Sequence, residues 1–197
     1  NENFIKRGGL ATSTRQRWKK LIKFNPESHN FVELAKLLFR YENPPGKKYI
    51  SGSQDAIGLT HPGINKLYYD SSFWPKKIET CLDEDTCKWL ENHIVLIEIG
   101  PRPDGYDPLK QQNITRINVQ KLSMVGLNCY DAIIRKDLKS LGKSFTEAHD
   151  ITRELLPLTT NKKIDDILNS YNNFCEGRTT TSCGGGYAIL ATDRKIK

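Results

Sequence analysis

Two glycine-rich runs, and a carboxylate that lies between them in the chain, offer most of the chemistry in this sequence. The runs are Gly8-Gly9-Leu10-Ala11-Thr12-Ser13 and Cys183-Gly184-Gly185-Gly186-Tyr187, and the carboxylate is Asp55 in Gly52-Ser53-Gln54-Asp55. Glycine lacks the Cβ that keeps a ligand away from the main chain, so successive N–H groups can converge on an anion such as a phosphate. The first run leads into Trp18, Leu21 and Ile22 at helical spacing, with Thr12, Ser13 and Thr14 as cap hydroxyls. That pattern predicts a basic helix over 13–23 with its N-terminus behind the loop. No Gly-Lys-Ser/Thr follows at the spacing of a P-loop. Each feature also has a plainer reading: a turn and cap for the first run, a tight entry into a buried strand for the second, and an Asx-turn for Asp55.

The elements that must carry these residues follow from apolar periodicity. A helix is expected over 30–42, with Phe31, Leu34, Leu37, Leu38 and Tyr41 on one stripe, ended by Pro44-Pro45-Gly46. Residues 49–58 read as an irregular stretch of small residues, followed by strands over 64–69 and 77–80. Asp83-Glu84-Asp85 places acid at the start of a helix reaching Glu91, which the helix dipole favours. Ile94-Val95-Leu96-Ile97-Glu98-Ile99 reads as a central, buried strand, and the loop Gly100–Pro108 after it carries Arg102 and Tyr106. Helices are expected over 113–135, 138–155 and 163–174, with Pro157 stopping the second. The apolar residues of the first, Ile114, Ile117, Leu122, Val125, Leu127, Ile133 and Ile134, read as core. A last strand runs over 187–191. Helices and strands alternate without a βαβ period, so the expected class is α+β, with helices packed on a mainly antiparallel sheet.

At 197 residues the chain can bury one core or two small lobes. No apolar run reaches the length of a membrane span, and no signal-peptide pattern opens the chain, so neither a membrane partner nor export is expected. The net charge of +7 suits an anionic ligand, but no RNA- or DNA-binding signature accompanies it, and no nucleic-acid partner is expected. The five cysteines show no CxxC spacing and read as reduced thiols. None of the four histidines is expected to be catalytic.

Taken in order, Gly8–Ser13, Gly52–Asp55 and Cys183–Tyr187 resemble the last two signature motifs of the GHMP small-molecule kinases, with that family's catalytic aspartate between them. The segment from Gln54-Asp55 to Asn65-Lys66-Leu67-Tyr68-Tyr69 is most similar to fucokinases and heptose-phosphate kinases, which phosphorylate a sugar at its anomeric hydroxyl. The resemblance implies a GHMP-kinase-like α+β fold with a ferredoxin-like C-terminal half. It divides the chain into the remainder of an ATP-phosphate-binding domain, 1–75, and a C-terminal domain, 76–197. ATP and Mg²⁺ are the implied cofactors and a monosaccharide the implied substrate, in the cytoplasm.

The resemblance also assigns roles. Gly8, Gly9, Leu10, Ala11, Thr12 and Ser13 would wrap the ATP phosphates; Ser13 and Glu42 would hold the metal; Asp55 would orient or deprotonate the sugar hydroxyl. Gln54, Arg102, Tyr106, Gly184, Gly185 and Gly186 would contact substrate. The last motif departs from the family pattern, with Thr181-Ser182-Cys183 where small residues are usual. The family's first motif and the N-terminal segment that carries it are not found, so the chain reads as a fragment, as the product of a split gene, or as a protein that has lost catalysis. Alone it would expose a sheet edge, which implies a homo-oligomer or a partner chain supplying that segment. The alternative implied is a non-catalytic GHMP-fold binding module, or one half of a split kinase.

Overall fold

The computed structural model describes residues 30–47, 50–102, 104, 106–182 and 184–195. The helix expected over 13–23 lies outside them. The chain divides into two compact units, one ending at Asp83 and the other beginning at Glu84.

In the first unit, helix α1 (Phe31–Glu42) starts where Asn30 caps it, the Asn30 side-chain oxygen accepting from Val32 N at 2.9 Å. Its buried face is Leu34, Ala35 and Leu38, while Phe31, Leu37 and Tyr41 stay exposed, so the expected five-residue stripe is only partly a core face. The stretch read as irregular contains a helix, α2 (Gln54–Thr60). Two turns with a glycine in them are a poor helix on propensity alone. Burial of Ala56 and Ile57, both 0% exposed, supplies what propensity does not, and α2 packs against α1. Strands β1 (Ile64–Tyr68) and β2 (Lys77–Cys81) form an antiparallel pair in which Lys66 faces Glu79. Glu79 accepts from Tyr68 Oη at 2.9 Å and lies 3.7 and 3.3 Å from the ammonium groups of Lys66 and Lys77. The Tyr68 hydrogen bond, followed by the lysines, holds the Glu79 carboxyl below its ordinary range.

The second unit contains α3 (Glu84–His93), β3 (Ile94–Gly100), α4 (Arg116–Ile134), α5 (Leu138–Leu155), α6 (Lys162–Ser170), β4 (Gly177–Ser182) and β5 (Gly185–Ala191). Side-chain caps set the helix starts: Thr115 accepts from Asn118 N, Asp137 from Ser140 N and Oγ, and Asn161 from Ile164 N. The strands form an antiparallel sheet in the order β3–β5–β4. The class is therefore α+β, as expected.

Two expectations are corrected here, and one strand is added to those expected. Among the described residues β3 is an edge strand and β5 the central one, and Leu96 is 57% exposed. The unbroken apolar run marks a strand but not its place in the sheet. Residues 177–182 are a strand although Arg-Thr-Thr-Thr-Ser carries no apolar alternation, because β5 pairs with them along their length. On α4, Val125, Ala132 and Ile133 are buried, but Ile117 and Ile134 are exposed, and Ile114, expected on the same helix, is exposed and precedes its cap Thr115. Helix α4 packs chiefly on α5, so one face suffices. Ile117, Met124 and Val125 of α4 line an open groove of about 600 Å³ with Glu147, Asp150 and Ile151 of α5.

The core joins helix to sheet through Ile99, Ile164, Leu168 and Ala188, with Ile97 and Ile167 around them. Helix α5 crosses β4 backbone to backbone: a Cβ on Gly177 would collide with the main chain of Gly142, and one on Gly142 with that of Glu176. Gly177→Ala is therefore expected to lower unfolding free energy by about 1–3 kcal/mol, measured by urea denaturation, while the exposed Lys139→Ala leaves it nearly unchanged.

His149 on α5 is 8% exposed, with Nε2 4.0 Å from Asp165 Oδ1; Arg153 Nη1 lies 3.7 Å from Asp165 Oδ2, and Thr160 donates to Asp165 Oδ1 at 2.7 Å. Burial pushes the imidazole below its ordinary 6.5, against the opposing pull of Asp150 and Asp165 and with the help of Arg178 and Arg153. The unfolded chain therefore binds the proton first, so this group costs no stability above pH 6.5 and a growing amount as the pH falls below it. The urea midpoint should drop between pH 7 and pH 5, with a smaller drop in His149→Gln.

Candidate active site

The first unit holds two candidate carboxylates on neighbouring helices. Glu42 is the last residue of α1, and Asp55 lies in the first turn of α2, exposed, where the positive end of the helix favours a carboxylate. The expected turn or Asx-turn at Asp55 is thus a helix start. Gln54 is exposed too, and its side-chain amide folds back over Gly52. Ser53 precedes them at the N-cap but makes no side-chain cap bond. Its hydroxyl, fully buried, is shared with Tyr69 Oη at 2.9 Å, which pins the turn to the residue after β1.

A second tie runs from α1 to the same turn. Asn43 donates through Nδ2 to Phe39 O at 2.9 Å and to Ser51 O at 3.2 Å, and its Oδ1 accepts from Ser51 N at 2.7 Å. Lys47 Nζ donates to Glu42 O, Asn43 Oδ1 and Ser51 Oγ at 2.8, 3.2 and 2.7 Å. Sequence reasoning missed Asn43, Lys47, Ser51 and Tyr69. Asn43 before Pro-Pro reads as a helix stop, and nothing local in the chain signals that its amide closes on Ser51.

In the second unit the glycine run lies at the β4–β5 turn, against the loop after β3. Gly184 has φ +76°, a Cβ there would strike the Tyr106 ring, and its N–H donates to Thr159 O at 2.7 Å. A Cβ on Gly185 would come within 2.9 Å of Arg102 N and Gly100 O, and Gly186 pairs with Gly100 across the sheet. Arg102 stacks its guanidinium over Tyr106, 5.8 Å from the ring centroid. The structure therefore brings together Arg102, Tyr106, Gly184, Gly185 and Gly186 in one unit; in the other, Glu42 ends α1 while Gln54 and Asp55 open α2. Gly8, Gly9, Leu10, Ala11, Thr12, Ser13 and Cys183 lie outside the described residues.

The donor chemistry suits a hard cation only in part. Among the described residues no group of three or more His, Cys, Asp or Glu side chains is placed to hold a metal ion. Mg²⁺ bound with nucleotide phosphates takes only one or two carboxylates, so the expected Glu42 ligand does not require such a group; Ser13, expected beside it, lies outside the described residues. Burial pushes the Cys129 thiol up to about 11, leaving it protonated at neutral pH. No described helix is long and apolar enough to cross a membrane.

Neither a protein-family model nor a curated protein matches the chain. Solved structures do. A D-glycero-D-manno-heptose 1-phosphate kinase from Bacteriodes thetaiotaomicron superposes with a TM-score of 0.58 at 13% identity, over 94% of this chain and 53% of that one. The mevalonate kinase of Methanococcus jannaschii gives 0.56 at 20% identity, over 84% and 50%. A putative sugar kinase from Campylobacter jejuni gives 0.54 at 17%, over 95% and 54%. The fold is that of the GHMP kinases.

The chain spans about half the length of these kinases. Within the GHMP-kinase fold its second glycine run forms the strand-to-strand turn packed on the Gly100–Tyr106 loop. Left-handed backbone and the missing space at Gly184 both oppose a side chain. Gly184→Ala should cost about 1–3 kcal/mol and increase protease cleavage between Gly100 and Tyr106, read by urea unfolding and limited proteolysis.

Proposed function

We propose that the chain is the part of a small-molecule kinase that carries the acceptor-activating carboxylate, transferring the γ-phosphoryl group of ATP to a monosaccharide hydroxyl, with the anomeric one as the expected site. The observation that supports this reading best is the placement of Asp55: an exposed carboxylate in the first turn of α2, pinned by a buried Ser53–Tyr69 bond, in a fold shared with kinases. Its sequence neighbours Gly52 and Gln54 match the motif that resembles sugar kinases.

In this reading Asp55 accepts a hydrogen bond from the acceptor hydroxyl, orients its oxygen for in-line attack and takes its proton as the bond to phosphorus forms. Glu42 supplies an oxygen ligand to Mg²⁺, with Ser13 as the expected second protein ligand. The bound ion would neutralise charge on the phosphates. Backbone N–H groups of Gly8–Ser13 are expected to cradle the phosphates. Gln54, Arg102, Tyr106 and the Gly184–Gly186 turn are proposed substrate contacts, and 1–75 and 76–197 the proposed nucleotide and C-terminal domains, a boundary that precedes the break between the two compact units at Asp83 and Glu84. A homo-oligomer or a complex with a partner chain is the proposed assembly.

A coupled ADP-release assay on the complete open reading frame, with Mg-ATP and a panel of free and phosphorylated monosaccharides, tests the reading. Sugar-dependent turnover is expected, with Asp55→Asn lowering kcat by about 100-fold or more and leaving ATP binding intact. Turnover that survives Asp55→Asn would remove Asp55 from the mechanism. ATP binding without turnover on any sugar would favour a binding module.

A further inference from the structure

We propose that Asn43, Lys47 and Ser51 form a clamp that positions Asp55 against the end of α1. The positioning role rests on the kinase reading above; the clamp itself does not.

The side-chain amide of Asn43 engages both backbone groups of one residue. It accepts from Ser51 N and donates to Ser51 O, as a neighbouring strand would. Asn43 thereby replaces a missing strand partner with a single side chain, and the remaining amide hydrogen is satisfied by Phe39 O in the last turn of α1. Lys47 closes the other side of the clamp. Its ammonium has three protons and three acceptors: the carbonyl of Glu42, the Oδ1 of Asn43 and the hydroxyl of Ser51. All three residues are half-buried, where these bonds are stronger than in water and more costly to break.

Geometry follows from where these bonds fall in the chain. Ser51 is held at its N–H, its C=O and its hydroxyl, and two residues later Ser53 is held by Tyr69. Asp55 starts its helix immediately beyond. The backbone from Ser51 to Asp55 is therefore anchored at two points, and one anchor includes the carbonyl of Glu42 itself. A carboxylate that must meet a hydroxyl in a near-attack arrangement loses rate steeply with small displacements, so the clamp bears on turnover and not on substrate affinity. Aspartate at position 43 would keep the acceptor for Ser51 N and Lys47 but lose the donor to Ser51 O; alanine would lose both.

Hydrogen exchange and steady-state kinetics on the complete protein test the two parts separately. Asn43→Ala and Lys47→Met should speed amide exchange at Ser51 and Gly52 by about 10-fold or more, leaving the β1–β2 pair protected as in wild type. The same variants should lower kcat by about 10–100-fold with KM for ATP within about 2-fold. Asn43→Asp and Lys47→Arg should each recover part of both effects. Unchanged exchange at Ser51 would overturn the clamp whatever the enzyme does. Faster exchange with unchanged kcat, in an enzyme whose wild type turns over, would overturn the positioning role. A wild type that turns over no sugar, beside exchange that responds as expected, would overturn the kinase reading and the positioning role and leave the clamp standing.

Discussion

Close approach of one main chain to another, where α5 crosses β4, sets the geometry of the second unit. Gly142 and Gly177 face each other with no room for a Cβ on either, which places the helix directly on the sheet backbone. With α5 fixed there, α6 can lay Ile164 and Leu168 on Ala188 and Ile99, and β5 can take the centre of the sheet with only small residues, Ala188 and Ala191, and Leu190 at its buried positions. The β4–β5 turn then falls against the loop after β3, and Gly184, Tyr106 and Arg102 become neighbours. The distance between two backbones is thus transmitted to the residues proposed to meet substrate. Dense packing makes this possible, since a displaced helix cannot be absorbed by neighbours already in contact.

In the described part of the first unit, polar bonds fix the turn between the helices. Its buried apolar side chains among the described residues are Leu34, Ala35, Leu38, Ala56 and Ile57. Between α1 and α2 the chain turns through Pro44-Pro45-Gly46 and returns to a fully buried serine, Ser53. A buried hydroxyl without a partner is costly, and Tyr69 supplies that partner. Asn43 and Lys47 do the same for the backbone and hydroxyl of Ser51. Polar satisfaction of this kind is directional, unlike apolar burial, and so fits a segment that must aim one side chain.

Much of the element order was legible because it rests on local rules. Helix α5 is stopped by Pro157, and the sequence places its limits at Leu138–Leu155 as observed. Helix α1 follows from its apolar spacing and the stop at Pro44-Pro45-Gly46. Strand β4 and helix α2 were not legible, since one has no apolar alternation and the other is too short to signal itself. Both exist because of the element each packs on or pairs with, β5 for one and α1 for the other, and not because of any pattern within their own residues. Helix α4 shows the converse: Ile117 fits a core stripe by spacing and is exposed.

For the candidate site the same division holds. The sequence by itself determined the residue types and their order, Glu42, Gln54, Asp55 and the glycines at 184–186, because motif chemistry is a property of neighbouring residues. It also determined the α+β class, through the periods of its helices and strands. Only the tertiary structure decided that Asp55 begins a helix, that Ser53 is buried on Tyr69, that one asparagine amide closes on both backbone groups of Ser51, and that the last glycines lie on Tyr106 and Arg102. Each of these is a contact between residues separated in the chain by 8 to roughly 80 positions. Local propensity carries no information about such pairs; their geometry follows from which surfaces are buried together.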